Sequence, residues 1–168
     1  MPTTHEPAFT IATVCLGNIC RSPMAASVLS RKLAEAGVAD AVSVESFGTA
    51  GWHAGEGADP RAVRVLQEHG YDGRHVARRV TVAAASGLDL ILAMDSANYS
   101  DLRTLLGADL RLRMFLEFHP ALAGIAAPDP RLDTPDPYYG SDAGFVEVLE
   151  LLEPAADQVV EFALARLG

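Results

Sequence analysis

Cysteine is scarce in this chain of 168 residues, with Cys15 and Cys20 the only two. A bridge between thiols so close in sequence closes a tiny loop and constrains the unfolded chain little, so no disulfide scaffold is expected. Nor is a structural zinc site expected, since two more ligands are needed and no His pair has finger-like spacing to the cysteines. Both are read as free thiols in a reducing cytoplasm. Lysine is scarcer still: Lys32 stands alone among the arginines, a bias that carries no functional reading. Positive charge is short overall, with 13 Lys and Arg against 22 Asp and Glu and a formal net charge of −9. A nucleic-acid partner is therefore disfavoured, because displacing counterions from phosphates takes a basic stripe. No apolar run approaches the roughly 20 residues of a membrane helix. The first seven residues, Met1 to Pro7, hold no Lys or Arg, so no signal peptide is expected. Its 14 glycines and 10 prolines are too few for a disordered or fibrous chain. What is present is apolar residue, 49% of the total, enough for one buried core at this length. These features predict a soluble, acidic, cytoplasmic protein with one domain over residues 1–168, of which 1–7 form a flexible extension.

Short β-branched or apolar runs alternate with helical patterns. Phe9–Val14, Val42–Ser46, Leu88–Met94 and Arg111–Phe118 read as strands. Ser22-Pro23 reads as the cap and first turn of a helix ending at Gly37, with Ala25, Leu29, Leu33 and Ala36 at helical spacing. Asp59-Pro60 opens a second helix that ends at Gly70, and Asp95 or Ser96 caps a third ending near Gly107. A helical stripe returns over Ala143–Leu167, where Pro154 is expected to kink or split it. His119–Tyr139 holds five prolines and little periodicity, which marks a long functional loop. Alternating strands and helices predict an α/β fold: a three-layer sandwich in which a four-stranded parallel sheet carries helices on both faces. Ligands of such sheets bind at the carboxyl ends of the strands, where both the Cys15 turn and the proline-rich loop emerge.

The turn after the first strand reads Cys15-Leu16-Gly17-Asn18-Ile19-Cys20-Arg21-Ser22-Pro23. A cysteine and an arginine bracketing a turn that runs into a helix N-terminus make an anion site, because successive backbone N–H groups form a concave nest and the helix end adds partial positive charge. Gly17 and Asn18 tolerate the unusual dihedrals of such a turn. Arg21 can hold two phosphate oxygens in its planar fork. Thiols at helix N-termini beside cations ionise readily, and an ionised Cys15 facing a phosphate ester can attack phosphorus. Ser22 is placed to donate a hydrogen bond to that sulfur. The nucleoside-triphosphate loop is excluded, since Cys20-Arg21-Ser22 stands where its Gly-Lys-Ser/Thr would be.

Val14 to Met24, with its Cys-x5-Arg core, resembles the signature loop of the low-molecular-weight protein tyrosine phosphatases. Asp136-Pro137-Tyr138-Tyr139-Gly140 resembles that family's general-acid loop. Ser46-Phe47-Gly48-Thr49 with Trp52-His53 resembles its substrate wall, and His75-Val76-Ala77-Arg78 and Met94-Asp95 match shorter stretches. The resemblance covers almost the whole chain and implies hydrolysis of phosphotyrosine monoesters through a phosphocysteine. Cys15 would be the nucleophile, Arg21 the phosphate clamp and Asp136 the general acid and then base, with Asp129 and Asp133 as competitors for the last role. Leu16, Gly17, Asn18, Ile19, Cys20 and Ser22 would bind phosphate or form the rim. Trp52, Tyr138 and Tyr139 would line a slot for an aryl phosphate, against the alternative that Trp52 packs and the tyrosines lie on the surface. Ser46, His75 and Asp95 would support the loop, although His75 reads equally as a core histidine. Cys20 is either a buried filler or a redox partner of Cys15.

The resemblance also implies no metal or cofactor, phosphotyrosine proteins as substrates, no membrane partner, and a monomer or weak dimer. Phe47 departs from the small residue usual there, and His119–Pro135 is longer than usual. Other activities weighed were an arsenate reductase, which needs a cysteine beyond residue 20, a protein arginine phosphatase, against which Ile19 and the doubled tyrosine speak, a small-molecule aryl or acyl phosphatase, and a non-catalytic phosphate-binding module.

Overall fold

The computed structural model describes residues 6–168, so the first five residues of the expected 1–7 extension lie outside it. Four strands form one parallel sheet: β1 (Phe9–Cys15), β2 (Val42–Gly48), β3 (Leu90–Ala93) and β4 (Leu112–Met114), in the order β2-β1-β3-β4. Five helices accompany them: α1 (Arg21–Glu35), α2 (Pro60–Glu68), α3 (Val82–Ala85), α4 (Ser96–Leu106) and α5 (Asp142–Leu167).

The side-chain period of two along the central strands divides the core. Ile11, Leu90 and Leu92 pack into one cluster with Met24, Leu29, Leu66, Phe145 and Leu152, which places α1, α2 and α5 on that face. Their sequence neighbours Ala12, Val14, Ile91 and Ala93 pack into the other cluster with Phe47, Ala85 and Leu102, beneath α3 and α4. A strand covered on both faces has no polar side to show, and this is why β3 reads as a continuous apolar run. The α/β sandwich with helices on both faces is as expected from the sequence.

Several expected boundaries differ. Helix α1 starts at Arg21 with Cys20 as its N-cap and no side-chain cap bond, so Ser22 and Pro23 already lie inside the first turn. Ser22 has been diverted from capping to the Cys15 sulfur. The fourth strand ends at Met114, and Phe115–Phe118 winds into a 3-10 turn, because Glu117 reaches back to accept from the Met114 N–H and so closes the chain on itself. The third strand is shorter than Leu88–Met94 at both ends. Helix α5 runs unbroken through Pro154. The carbonyl that Pro154 deprives of a donor belongs to exposed Glu150, where water can replace it, while Leu149, Leu152, Ala155, Ala156 and Val159 stay buried around it.

Candidate active site

The carboxyl ends of all four strands contribute to one site: the Cys15 turn after β1, Ser46–Gly48 closing β2, Asp95 after β3, and the proline-rich segment after β4. In the turn, Asn18 adopts a φ of +58°, the one positive φ outside glycine among the described residues. Asparagine accepts this left-handed conformation more readily than other side chains with a Cβ. Gly17, expected to share the unusual dihedrals, has no positive φ. Its lack of a side chain serves space instead, since a Cβ there would stand 3.1 Å from the His53 ring. Gly48 is needed more strictly. A Cβ at that position would lie 2.8 Å from the Leu16 carbonyl oxygen and 2.9 Å from that of Ala50, backbone that cannot swing away.

Beneath the turn, Asn18 Nδ2 donates to Ser22 Oγ at 2.8 Å and to Ser46 Oγ at 2.6 Å, while its Oδ1 accepts from the Arg78 N–H at 2.9 Å. His75 Nε2 lies 2.6 Å from the Asn18 carbonyl oxygen, which can only accept, so Nε2 carries the proton. Burial holds the His75 pKa below its ordinary value, against the effect of that hydrogen bond. His75 is thus half-buried and tied to the turn, which favours its supporting place over that of a core histidine. Cys15 Sγ sits 3.0 Å from Ser22 Oγ and 3.3 Å from the Asn18 N–H. Ser22 has one proton and two acceptors within reach, the sulfur and the Phe47 carbonyl oxygen at 3.3 Å. The Phe47 ring is buried on the α3 and α4 face with the Arg78 guanidinium 4.2 Å above it, so the large side chain is absorbed behind the turn.

Arg21 is 3% exposed and held from behind. Its Nη1 donates to Asp95 Oδ2 at 2.6 Å and to the Thr134 carbonyl at 3.1 Å, and its Nη2 faces Asp136 Oδ2 at 3.6 Å. Asp95 serves two masters, since its other oxygen caps α4 by accepting from the Asn98 N–H. Among the carboxylates of the proline-rich segment, Asp136 alone lines the cavity above Cys15. Asp133 accepts from the Ser96 N–H and hydroxyl at the start of α4. Asp129 is gripped by Arg131, whose guanidinium pulls its carboxyl down to about 2. A carboxyl held so firmly ionised is a poor proton donor.

The cavity measures about 180 Å³ and is lined by Cys15, Leu16, Gly17, Ile19, Cys20 and Arg21 from the turn. Trp52, His53, Asp136, Tyr138 and Tyr139 complete the wall. Trp52 is 74% exposed and does not pack in the core, while Tyr138 and Tyr139 meet edge to face at 4.9 Å and are themselves surface residues, with Tyr139 92% exposed. Larger clefts lie elsewhere, one of about 460 Å³ beside His75 and Arg78, but none of them reaches Cys15. Cys20 is buried, and desolvation, with Asp59 and Cys15 adding to it, pushes its thiol up to about 12. Sequence reasoning missed Arg61, and it named His53 only as part of the Trp52-His53 stretch, with no place of its own at the site. His53 faces Gly17 and is oriented by Glu56 at 2.6 Å, and its only sequence signal was adjacency to Trp52. Arg61 bonds the Tyr138 and Gly140 carbonyls, and nothing in a helix-opening Asp-Pro-Arg announces a bond to a segment so far along the chain. Among the described residues no three His, Cys, Asp or Glu side chains gather as a metal site would require.

Known proteins share both the sequence pattern and the fold. Residues 10–167 match the family described as low molecular weight phosphotyrosine protein phosphatase. A low molecular weight protein-tyrosine-phosphatase of Streptomyces coelicolor is 43% identical over 151 residues, covering 88% of this chain and 89% of its own. Low molecular weight protein-tyrosine phosphatase A of Mycobacterium tuberculosis is 41% identical over 162 residues, with 94% and 95% covered. A crystal structure of a protein tyrosine phosphatase from Entamoeba histolytica superposes with a TM-score of 0.81 at 30% identity, covering 90% of this chain and 94% of that one. A thiol and a guanidinium joined by a five-residue turn, set at the end of the first strand of such a sheet and matched along nearly the whole length, place this chain in the low molecular weight protein-tyrosine phosphatase family.

Proposed function

We propose that the protein hydrolyses phosphotyrosine monoesters through a phosphocysteine on Cys15. One observation carries this reading: Cys15 Sγ lies at the floor of a small cavity into which Arg21 and Asp136 also face, under an aromatic wall. The phosphate would sit in the nest of N–H groups of residues 16–20, with the free edge of Arg21 on two of its oxygens. The sulfur lone pair attacks phosphorus as the aryl C–O oxygen leaves, and Asp136 gives that oxygen its proton. Asp136, now a carboxylate, takes a proton from water as the water oxygen attacks the phosphocysteine. The sulfur departs with its electron pair, stabilised by the Ser22 hydroxyl. The net change is ester plus water to phenol plus inorganic phosphate, with the enzyme restored and no cofactor called upon.

Trp52, Tyr138 and Tyr139 favour a flat ring, which phosphotyrosine offers and phosphoserine does not. Asn18, Ser46, His75 and Asp95 would act through the turn and Arg21, not on the substrate. We read the chain as one domain, because elements from both of its ends, α1 and α5, pack in the same core. Two free cysteines suit a cytoplasmic setting, and among the described residues no helix is long and apolar enough to cross a membrane.

Steady-state hydrolysis of para-nitrophenyl phosphate without metal, run beside Cys15→Ser and Asp136→Ala, tests the mechanism. Turnover is expected from wild type, none from the first variant, and a loss of about 10² to 10⁴ in the second, the usual span for a general acid. A folded, reduced wild type without turnover would leave only a phosphate-binding module. A panel of phosphotyrosine and phosphoarginine peptides then decides the substrate class, with preference for phosphotyrosine expected.

A further inference from the structure

We propose that Arg61 is a positioning residue that holds the Asp136–Gly140 loop in register with the Cys15 turn; its effect on turnover rests on the general-acid part of Asp136 proposed above. Arg61 lies in the first turn of α2, remote in sequence from that loop, yet its guanidinium spans the gap. Nη2 donates to the Tyr138 carbonyl at 3.0 Å and Nη1 to the Gly140 carbonyl at 3.2 Å. The same group is clamped by Asp59, with Nε to Oδ1 at 3.1 Å and Nη2 to Oδ2 at 3.0 Å. Asp59 is itself fixed twice: its carboxylate accepts from the Arg61 N–H at 2.9 Å, and its own N–H donates to the Ile19 carbonyl at 2.8 Å. Below the guanidinium, the buried Phe145 ring of α5 lies 4.7 Å from its central carbon, and the Tyr138 ring lies 5.7 Å away.

A continuous path therefore leads from the phosphate turn at Ile19 through Asp59 and Arg61 to the loop carrying Asp136. The last link is short, because Asp136 Oδ1 accepts from the Tyr138 N–H at 3.1 Å while Arg61 holds the carbonyl of that same residue. Four of the five guanidinium N–H groups suffice for these bonds, and the planar fork suits partners on opposite sides. A lysine has one nitrogen and cannot span them all. The Arg61 guanidinium itself bonds neither the Cys15 turn nor the reacting atoms, and it reaches the turn only through the Asp59 backbone N–H on the Ile19 carbonyl. Its loss should let the acid wander while leaving the nucleophile and anion site intact.

The distinguishing readout is the leaving group. Proton donation matters more for a basic phenolate, whose conjugate acid has a pKa of about 10, than for the far more acidic para-nitrophenol. In Arg61→Ala, kcat/KM is expected to fall about tenfold further on phenyl phosphate than on para-nitrophenyl phosphate, a modest part of what a general acid contributes. Arg61→Lys should fall in between. A residue that only supports the fold would lower both substrates equally, and equal losses would overturn the proposal. Hydrogen exchange of residues 136–141 provides a second test that needs no turnover. Faster exchange there in Arg61→Ala, with residues 15–22 unchanged, upholds the strap, whereas unchanged exchange in the loop, or equal loosening of the turn, overturns it. A wild type inactive on both esters would sink the proposed function, and the exchange measurement would still decide the strap.

Discussion

Asn18 leaves no polar atom idle. Its amide nitrogen donates to Ser22 and Ser46, its side-chain carbonyl accepts from the Arg78 backbone, its N–H points at the Cys15 sulfur, and its backbone carbonyl accepts from His75 Nε2. A left-handed residue so fully bonded turns a strained turn into a fixed one, and a fixed nest is what holds an anion without reorganising. Cys20, two positions along, shows the opposite electrostatics. Its thiol is held up to about 12 from an ordinary 9.0, chiefly by desolvation. The unfolded thiol ionises first as pH rises, so the stability this residue contributes is complete below 9.0 and is lost on the way to about 12. Melting curves from about pH 8 to about pH 10.5 should therefore fall more steeply for wild type than for Cys20→Ser, whose hydroxyl does not ionise there. Parallel curves would contradict the burial assigned to this thiol.

At the scale of elements, Asp95 joins a helix cap to the site. One oxygen begins α4 and the other orients Arg21, so one side chain ties a secondary-structure boundary to the proposed phosphate clamp. The two duties separate by mutation. Both variants leave buried Arg21 without its charged partner, but Asp95→Asn keeps a good cap, so Asp95→Ala should be the less stable of the two by about 1 kcal/mol. Both should weaken binding of inorganic phosphate, because Arg21 loses its charged partner. Equal phosphate affinity in wild type and Asp95→Asn would show that Arg21 needs no such support.

Much of this level was legible beforehand. The Asp59 and Asp95 caps, the strands and the helix stops at Gly37 and Gly107 are local signals, and local chemistry decides them. What the sequence hid was decided by distant contacts. Ser22 looks like a cap until the Cys15 sulfur is seen beside it, and Phe115–Phe118 looks like strand until Glu117 folds back. Pro154 looks like a break until the buried surface on either side of it is counted as one face. Helix α3 is too short to show a period and is betrayed only by the Thr81 cap.

At the scale of the molecule, the parallel sheet does the gathering. Because every strand points the same way, four sequence segments scattered from Cys15 to Tyr139 end at one edge. Each brings one piece of the proposed machinery: the Cys15 thiol, the support of its turn, the Asp95 partner of Arg21, and Asp136. The candidate site was legible residue by residue where a motif carried it, as with Cys15, Arg21 and Asp136. The ties between segments, such as Arg61 to the acid loop, exist only in the folded chain.

The central claim is that phosphorus passes through sulfur. The most direct measurement is rapid acid quench of the protein with a phosphotyrosine peptide, followed by mass analysis of the fragment holding Cys15. A single phosphoryl group on Cys15 during turnover, absent from Cys15→Ser, is the expected result. Turnover with no phosphoryl group on that cysteine, or an equal adduct in Cys15→Ser, would contradict the account.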